Sequence, residues 1–339
     1  MTQEQIEKIS HYRGDSVEEF WTPTPEHPNK HHVDVFWFWE FRERLLGCEL
    51  KILRPAGDGR TISERVLHKH ERLAGYYYTS FCRIAGMHDK LFGVNKILEN
   101  HGPQPVHFFM LDLFESFYLM LGSALDMIGG AGNIIYGLGG SEDSFHNFVT
   151  RFEALDVRTT MENEALMRMR LSRNIQENLR AQIAHRPRIS SVVDQSTGRF
   201  YVQKDFNRAL QPENNIMWRK SLREINEGRA ELIPLDIQMY NDLGLVEDTV
   251  NHVFHCCTER IGDYLAANGM RISADADNEP LPNEKPAEAK YLFAKCLDCG
   301  KGGRIHLDTW LHRVEKPFES CLNEDCRSRN IKAYYYVSD

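Results

Sequence analysis

The chain has 339 residues, of which 42% are hydrophobic and 27% are charged, and its formal net charge is −8. These proportions are typical of a folded globular protein and exclude an intrinsically disordered chain. The negative net charge excludes a protein surface that is basic throughout. Any site that binds nucleic acid therefore has to be a local basic patch. The polar N-terminus lacks a signal-peptide core, and the most apolar segment carries acids that a membrane span would not tolerate cheaply. We therefore expect a cytoplasmic protein without a membrane contact.

The first half of the chain predicts an N-terminal arm followed by helices. Residues 1–30 hold three prolines and few periodic apolar positions, which is typical of an arm. Apolar positions at helical spacing indicate helices over Val33–Leu46, over Ile62–Met87 and from Pro105 onwards. Because glycine is costly inside a helix, the third helix is expected to end at three closely spaced glycines, Gly129, Gly130 and Gly132.

The second half predicts two further long helices with a hairpin between them. Apolar periodicity indicates a helix over Asn163–His185 and an amphipathic helix over Leu235–Ala267, which Asn268-Gly269 should end. Between these helices, the apolar runs Ile189–Val193 and Arg199–Gln203 flank a polar turn, which is typical of a strand–turn–strand unit.

The composition changes sharply between 274 and 286, where acids and prolines replace large apolar residues. Residues 273–289 are therefore predicted to link a helical domain over 31–272 to a small domain over 290–339. The predicted fold class is mainly α: an antiparallel helical bundle with a small β-hairpin, followed by a small cysteine-bearing β domain.

Four of the eight cysteines form two close pairs near the C-terminus: Cys296 and Cys299 with spacing C-x2-C, and Cys321 and Cys326 with spacing C-x4-C. Four thiolates in two such pairs can enclose one tetrahedral Zn²⁺. A segment of this size has too little core to fold well without a crosslink of this kind. The segment resembles a zinc ribbon, which implies a structural zinc ion held by these four cysteines and a surface that can recruit a protein partner. Four reduced cysteines without a metal are the alternative.

The end of the helix predicted over 163–185 carries an unusual density of arginine. Arg180 precedes His185 by five residues, and Arg173 lies on the same helix face as Arg180 because seven residues separate them. Arginine neutralises a phosphate and histidine transfers protons near neutral pH, and cleavage of a phosphodiester needs both. The pattern indicates Arg180 and His185 as catalytic residues, and the candidates for substrate binding are Arg173, Arg186 and Arg188.

A bundle of long helices with Arg-x4-His near the end of one helix resembles the HEPN superfamily, whose R-x4-6-H pattern fits Arg180-Ala-Gln-Ile-Ala-His185. The segment Phe117–Asp126 looks like the helix that packs beside the motif helix in this group, and the resemblance covers residues 105–268. It implies a metal-independent endoribonuclease that acts on RNA as a homodimer, in the manner of a toxin or an antiviral effector. The implied products are a 2′,3′-cyclic phosphate and a 5′-hydroxyl.

The same resemblance implies roles for single residues. His185 would exchange protons with the 2′-hydroxyl or the leaving oxygen, Arg180 would stabilise the phosphorane, and Asp126 or Glu115 would orient the imidazole. Many members carry a polar residue after the arginine, where this chain has Ala181. That position favours the alternative of a non-catalytic module that dimerises and binds nucleic acid or a protein partner. A regulator that senses nucleotides is a third class of function. For His185 itself, the alternative is a structural role at the end of the helix, where its positive charge complements the helix dipole.

Overall fold

The computed structural model describes residues 52–56, 61–100, 107–139, 144–177, 191–193, 200–203, 232–274, 278–279, 281, 285–307, 321, 323, 325–326 and 328–339. The predicted arm over 1–30 and the predicted helix over Val33–Leu46 lie outside these residues. The described residues fall into two compact units. The first lies within 76–133 and 138–256, and the second lies within 52–75, 134–137 and 257–339.

The described part of the chain is rich in helix, as the sequence predicts. Its helices are α1 (Glu64–Asn100), α2 (His107–Ile135), α3 (Phe145–Glu153), α4 (Thr160–Ile175) and α5 (Leu235–Ala267). The prediction for α5 is confirmed at both ends. Gly269, just beyond the helix, has a φ of 65°, the left-handed conformation that commonly follows a helix.

Short strands accompany these helices. They are β1 (Ile52–Pro55), β2 (Thr61–Ser63), β3 (Ser191–Val193), β4 (Phe200–Gln203), β5 (Leu232–Pro234), β6 (Met270–Ser273), β7 (Ala289–Cys296), β8 (Gly302–His306) and β9 (Ile331–Ser338). The predicted pairing of two neighbouring strands is confirmed, because β3 and β4 pair in antiparallel fashion, and the turn predicted between them lies outside the described residues. A further antiparallel strand, β5, adds to β4 and was not predicted.

In the first unit, α1 and α5 run in opposite directions against each other. The ring of Tyr77 lies 5.3 Å from that of Phe254, and His88, further along α1, contacts Glu247, earlier on α5. Aromatic side chains fill much of the core, and each removes about 150–250 Å² of surface from water. Among the described side chains of α2 and α3, the fully buried aromatic ones are Phe114, Phe117, Tyr118, Phe145, Phe148 and Phe152.

The prediction that three glycines end α2 is wrong, because the helix continues through them to Ile135. A Cβ atom at Gly132 would lie 2.3 Å from the ring of Phe148, and one at Gly129 would lie 2.7 Å from the backbone of Phe145. The glycines therefore let α3 approach α2 closely. The resulting packing offsets the helix-propensity cost of about 1 kcal/mol per glycine.

The start of α4 is set by a capping box. The Thr159 hydroxyl accepts a hydrogen bond from the Glu162 N–H, and the Glu162 carboxylate accepts one from the Thr159 N–H. The helix therefore begins at Thr160, three residues before the predicted start. Helical backbone continues to residue 177, and the rest of the predicted helix, 178–185, lies outside the described residues.

The start of α1 also differs from the prediction, because Ile62 lies in β2 and the helix begins at Glu64. In the second unit, β2 pairs in parallel with β9, and the sheet continues in the order β2–β9–β7–β8. The buried side chains of Ala289, Leu292, Leu307 and Tyr336 form one hydrophobic cluster in this unit. Residues Thr61–Ser63 therefore share one sheet with the strands of the C-terminal segment.

Glu279, within the predicted linker, is held by charged and polar neighbours of the second unit. Its carboxylate accepts two hydrogen bonds from Arg271, at 3.1 and 2.6 Å, and one from the Ser273 hydroxyl. These hydrogen bonds lower the pKa of Glu279 to about 2, and Arg271 contributes the largest part of the effect. The buried Arg54 donates to the carbonyl oxygens of both Glu279 and Tyr334, at 3.0 and 2.9 Å. Residue 279 is therefore joined to both β6 and β9.

One helical window among the described residues, Asp112–Ile135, is long and apolar enough to cross a membrane by length and composition, and 78% of it is buried inside the protein.

Candidate metal centre and motif helix

The ends of the strands in the four-stranded sheet position the cysteines. Cys296 is the last residue of β7, and the turn that follows leads into β8. Gly300 has a φ of 73° and donates its N–H to the Cys296 carbonyl at 2.9 Å, which closes the turn that carries Cys299. Cys321 donates its N–H to the Ser328 carbonyl at 2.7 Å. Both pairs thus lie on tight loops beside strand ends.

The four cysteine sulfurs form one cluster. All four Sγ atoms lie within 4.8 Å of one another. The Sγ atoms of Cys299 and Cys321 are 3.4 Å apart, and those of Cys296 and Cys326 are 3.9 Å apart. These distances exceed a disulfide bond of about 2.05 Å, whereas a tetrahedral Zn²⁺ with Zn–S bonds of about 2.3 Å would separate the sulfurs by about 3.8 Å. The four cysteines are therefore close enough to bind one metal ion.

Local hydrogen bonds favour one thiolate in this cluster. The backbone N–H of Cys299, with that of Asp298, lowers the pKa of Cys296 to about 6. Although the Asn323 N–H acts in the same direction on Cys321, burial and the neighbouring sulfurs raise the pKa of that thiol to about 12. A bound metal cation would reverse the rise in pKa that the neighbouring sulfurs cause, because a metal ion deprotonates the thiols that coordinate it.

Asp298 joins the loops of the two cysteine pairs. It lies between Cys296 and Cys299, and its carboxylate accepts hydrogen bonds from the Ser328 hydroxyl and from Asn330 Nδ2, the latter at 2.9 Å. These two bonds lower the pKa of Asp298. Since Ser328 and Asn330 follow Cys326, one carboxylate fixes the relative position of both loops.

The residues predicted at the Arg–His motif divide into two groups. Arg180, His185, Arg186 and Arg188 lie outside the described residues, whereas Arg173, Asp126 and Glu115 lie within them.

Asp126 lies on α2 beside Gln176, which follows α4 directly and stands four residues before Arg180 in the sequence. Its Oδ1 accepts hydrogen bonds from the Phe145 N–H at 3.1 Å and from Gln176 Nε2 at 2.8 Å. Glu115 is eleven residues earlier on α2 and therefore about 16 Å away along the helix axis. A role for Asp126 in orienting His185 stays a prediction, and its described contacts are with α3 and α4.

The arginines on the described part of α4 lie against carboxylates. Arg168 contacts Asp248, and Arg170 Nε lies 2.6 Å from Glu153. Arg173 lies between two acids, with its guanidinium 4.0 Å from Glu153 and 3.7 Å from Glu177. The excess of cations on this helix is thus balanced, over its described part, by acids on α3 and α5 and by Glu177.

Sequence reasoning missed His146, the second residue of α3. Its Nδ1 contacts Glu177 Oε1, the same oxygen that lies 3.7 Å from Arg173 Nε. The His146 side chain is 55% exposed. No spacing rule connects residues 146 and 177, because their contact depends on the packing of α3 against α4.

Among the described residues, the four cysteines have the geometry of a metal site, and His146, Glu177 and Arg173 form a charged cluster beside the end of α4. Comparisons of the chain with protein-family models, with curated proteins and with solved structures found no match.

Proposed function

We propose that the four cysteines bind one Zn²⁺ that stabilises the C-terminal sheet in the manner of a zinc ribbon. Four sulfur ligands close the coordination shell, and closed sites of this kind are structural, whereas catalytic sites keep an open position. The single observation that carries the proposal is the mutual approach of all four sulfurs within 4.8 Å. The ion would hold the β7–β8 turn to the loop before β9 and add to a small apolar core.

The zinc proposal is tested by elemental analysis of protein purified without chelators. About one zinc ion per chain is expected for the wild type, and Cys296→Ser or Cys321→Ser should lose it, because three sulfurs leave the shell incomplete. Cys256→Ser is the matched control, since Cys256 is buried on α5 and is not one of the four clustered cysteines. Wild-type protein that contains no zinc would contradict the proposal.

We further propose that the helical part is a HEPN-like endoribonuclease that acts on RNA as a homodimer. The support is the resemblance at Arg180 and His185, together with the contact between Asp126 and Gln176. That contact holds α2 beside the end of α4, as expected for the helix that packs beside the motif helix. Such a cleft needs no metal ion, because the nucleophile is the 2′-hydroxyl next to the scissile phosphate.

In the proposed reaction, His185 exchanges a proton with the 2′-hydroxyl or with the leaving oxygen, and Arg180 stabilises the charge on the phosphorane. DNA is inert because it lacks the 2′-hydroxyl.

The ribonuclease proposal is tested with zinc-loaded protein in buffer without added metal. We expect RNA fragments that end in a 2′,3′-cyclic phosphate, and a rate loss of about 100-fold or more in His185→Ala. His252→Ala serves as a control, because His252 lies on α5 against its own helix backbone. If His185→Ala cleaves RNA as fast as the wild type, the assignment is wrong.

A non-catalytic module that dimerises and binds nucleic acid or a partner is the second candidate. Ala181 favours it, because many members of the superfamily that the motif resembles carry a polar residue at that position. RNA binding without cleavage products would support this alternative, and a cyclic-phosphate product would exclude it.

A further inference from the structure

We propose that Cys299 is an oxidation site, at which a hydroperoxide joins Cys299 to Cys321 in a disulfide and thereby releases the zinc ion. The inference rests on the proposed zinc site and adds its regulation. On oxidation, the loops at the end of the C-terminal sheet exchange a crosslink through the metal for a covalent one.

The four sulfur ligands differ in their access to solvent. Cys296 and Cys321 are buried, with 2% and 5% of their surfaces exposed, and Cys326 is half-buried, whereas Cys299 is exposed. A cysteine that coordinates a metal ion is held as the thiolate, which is the form that attacks an oxidant. An oxidant that arrives from solvent therefore meets the Cys299 sulfur first.

The contacts between the sulfurs join different loops. Cys299 Sγ lies 3.4 Å from Cys321 Sγ, and Cys296 Sγ lies 3.9 Å from Cys326 Sγ, so each contact links one cysteine of C-x2-C to one of C-x4-C. For a disulfide bond of about 2.05 Å, the sulfurs of Cys299 and Cys321 need to approach each other by about 1.4 Å. Disulfides with this pairing connect the same two loops that the zinc ion connects.

Asp298 and its partners hold these loops together independently of the sulfurs. The Asp298 carboxylate accepts hydrogen bonds from the Ser328 hydroxyl and from Asn330 Nδ2, and the Leu297 N–H donates to the Asn330 carbonyl at 2.8 Å. These three bonds involve neither a sulfur atom nor a metal ligand, so they persist as the zinc leaves. The Cys299 sulfur therefore stays within reach of its partner on the other loop.

The reaction is a two-electron oxidation. The Cys299 thiolate attacks one oxygen of the hydroperoxide, the O–O bond breaks, and the leaving oxygen takes a proton from water, which gives an alcohol and hydroxide. The Cys321 thiolate then attacks the sulfenic acid sulfur of Cys299, and a second hydroxide leaves as the S–S bond forms. A second equivalent of hydroperoxide oxidises Cys296 and Cys326 in the same way. The zinc ion has then lost its sulfur ligands, and a thiol reductant reverses the change.

Cys82 on α1 provides a comparison within the same chain. It is exposed, as Cys299 is, but it does not belong to the cysteine cluster. Partial burial raises the pKa of the Cys82 thiol, although Arg83 acts in the opposite direction. A smaller fraction of Cys82 is therefore thiolate, so exposure alone should leave it slower to react than Cys299.

The inference is tested by treatment of the full-length, zinc-loaded chain with hydrogen peroxide. We expect release of about one zinc ion per chain, measured with a chromophoric chelator. Mass spectrometry of peptides should find the Cys299–Cys321 disulfide first, then Cys296–Cys326, while Cys82 is still reduced. Zinc release without a disulfide between the loops would contradict the inference. Zinc that stays bound while Cys82 is oxidised would also overturn it and leave the zinc site intact, whereas a wild type without zinc would overturn both.

Two variants that keep four metal ligands isolate the role of the exposed sulfur. Histidine also coordinates zinc, so Cys299→His and Cys326→His should each hold about one zinc ion. Cys299→His lacks the exposed thiolate and should keep its zinc over the time in which the wild type loses it. Cys326→His retains Cys299 and Cys321 and should form their disulfide. Equal rates of zinc loss in the two variants would refute the role of Cys299. If a histidine variant binds no zinc, the disulfide map of the wild type decides alone.

Discussion

Gln176 on the last turn of helical backbone after α4 donates its side-chain amide to Asp126 on α2 at 2.8 Å, and both side chains are buried. The same Asp126 oxygen accepts the N–H of Phe145 at the start of α3. A single carboxylate therefore joins α2, α3 and the end of α4, and it fixes the point from which the chain continues to Arg180.

Replacement of Asp126 should destabilise the first unit. In Asp126→Ala, the buried N–H of Phe145 and one of the two amide protons of Gln176 lose their acceptor, while the Gln176 amide keeps its bond to the Gly122 carbonyl at 3.1 Å. The free energy of unfolding should therefore fall by about 2–4 kcal/mol. Asp126→Asn keeps an oxygen acceptor and should lose less than half as much. Urea denaturation measures both variants, and equal losses would contradict this role for the Oδ1 atom.

A methyl group at Gly132 should separate α3 from α2. Its Cβ would lie 2.3 Å from the ring of Phe148, so Gly132→Ala should cost about 1–3 kcal/mol of stability, as overpacking generally does. Gly75→Ala is the control, because a Cβ there meets no atom within 4 Å, and it should stabilise α1 by up to about 1 kcal/mol. If both variants shift the melting temperature in the same direction, the close approach does not explain Gly132.

Loss of Asp298 should weaken metal binding without removing a ligand. Asp298→Ala breaks the hydrogen bonds to Ser328 and Asn330 that join the two cysteine loops, and changes around metal ligands typically lower affinity about 10–100-fold. Competition with a chromophoric chelator measures the effect. Asp325→Ala, which removes an exposed acid next to Cys326, should retain wild-type affinity. Equal affinities of all three proteins would show that the loops do not need Asp298.

The buried Asp242 should make stability depend on pH. Burial raises its pKa to about 6, even though Tyr118 and Gln238 donate hydrogen bonds to it. The native state thus binds this proton more tightly than the unfolded chain does, so the Asp242 contribution to stability should increase as the pH falls from about 6 to about 4.

Asp242→Asn should abolish this dependence, which amounts to about 2 kcal/mol for a shift of this size. The measured quantity is the difference in unfolding free energy between wild type and variant at several pH values, so that titration of the cysteines cancels. A constant difference between pH 4 and pH 7 would refute the raised pKa.

Local patterns predicted the elements whose ends are set by local chemistry. Apolar periodicity and Asn268-Gly269 gave α5 its bounds, and cysteine spacing identified the four sulfurs that cluster. Packing between distant segments was not predictable in this way. Glycine has a low helix propensity, yet Gly132 lies inside α2 because the ring of Phe148 occupies the space that a side chain at this position would need. The contact of His146 with Glu177 depends likewise on how α3 meets α4, which no periodicity encodes.

The parallel pairing of β2 with β9 has a consequence for how the chain is made. Thr61 is synthesised long before Tyr336, its partner in the sheet, so β2 lacks this neighbour until β9 has been made. An exposed strand edge invites pairing with other chains, and contacts this far apart in sequence form slowly. Newly made protein should therefore depend on chaperones until β9 emerges, and truncation within β9 should leave β2 exposed to aggregation.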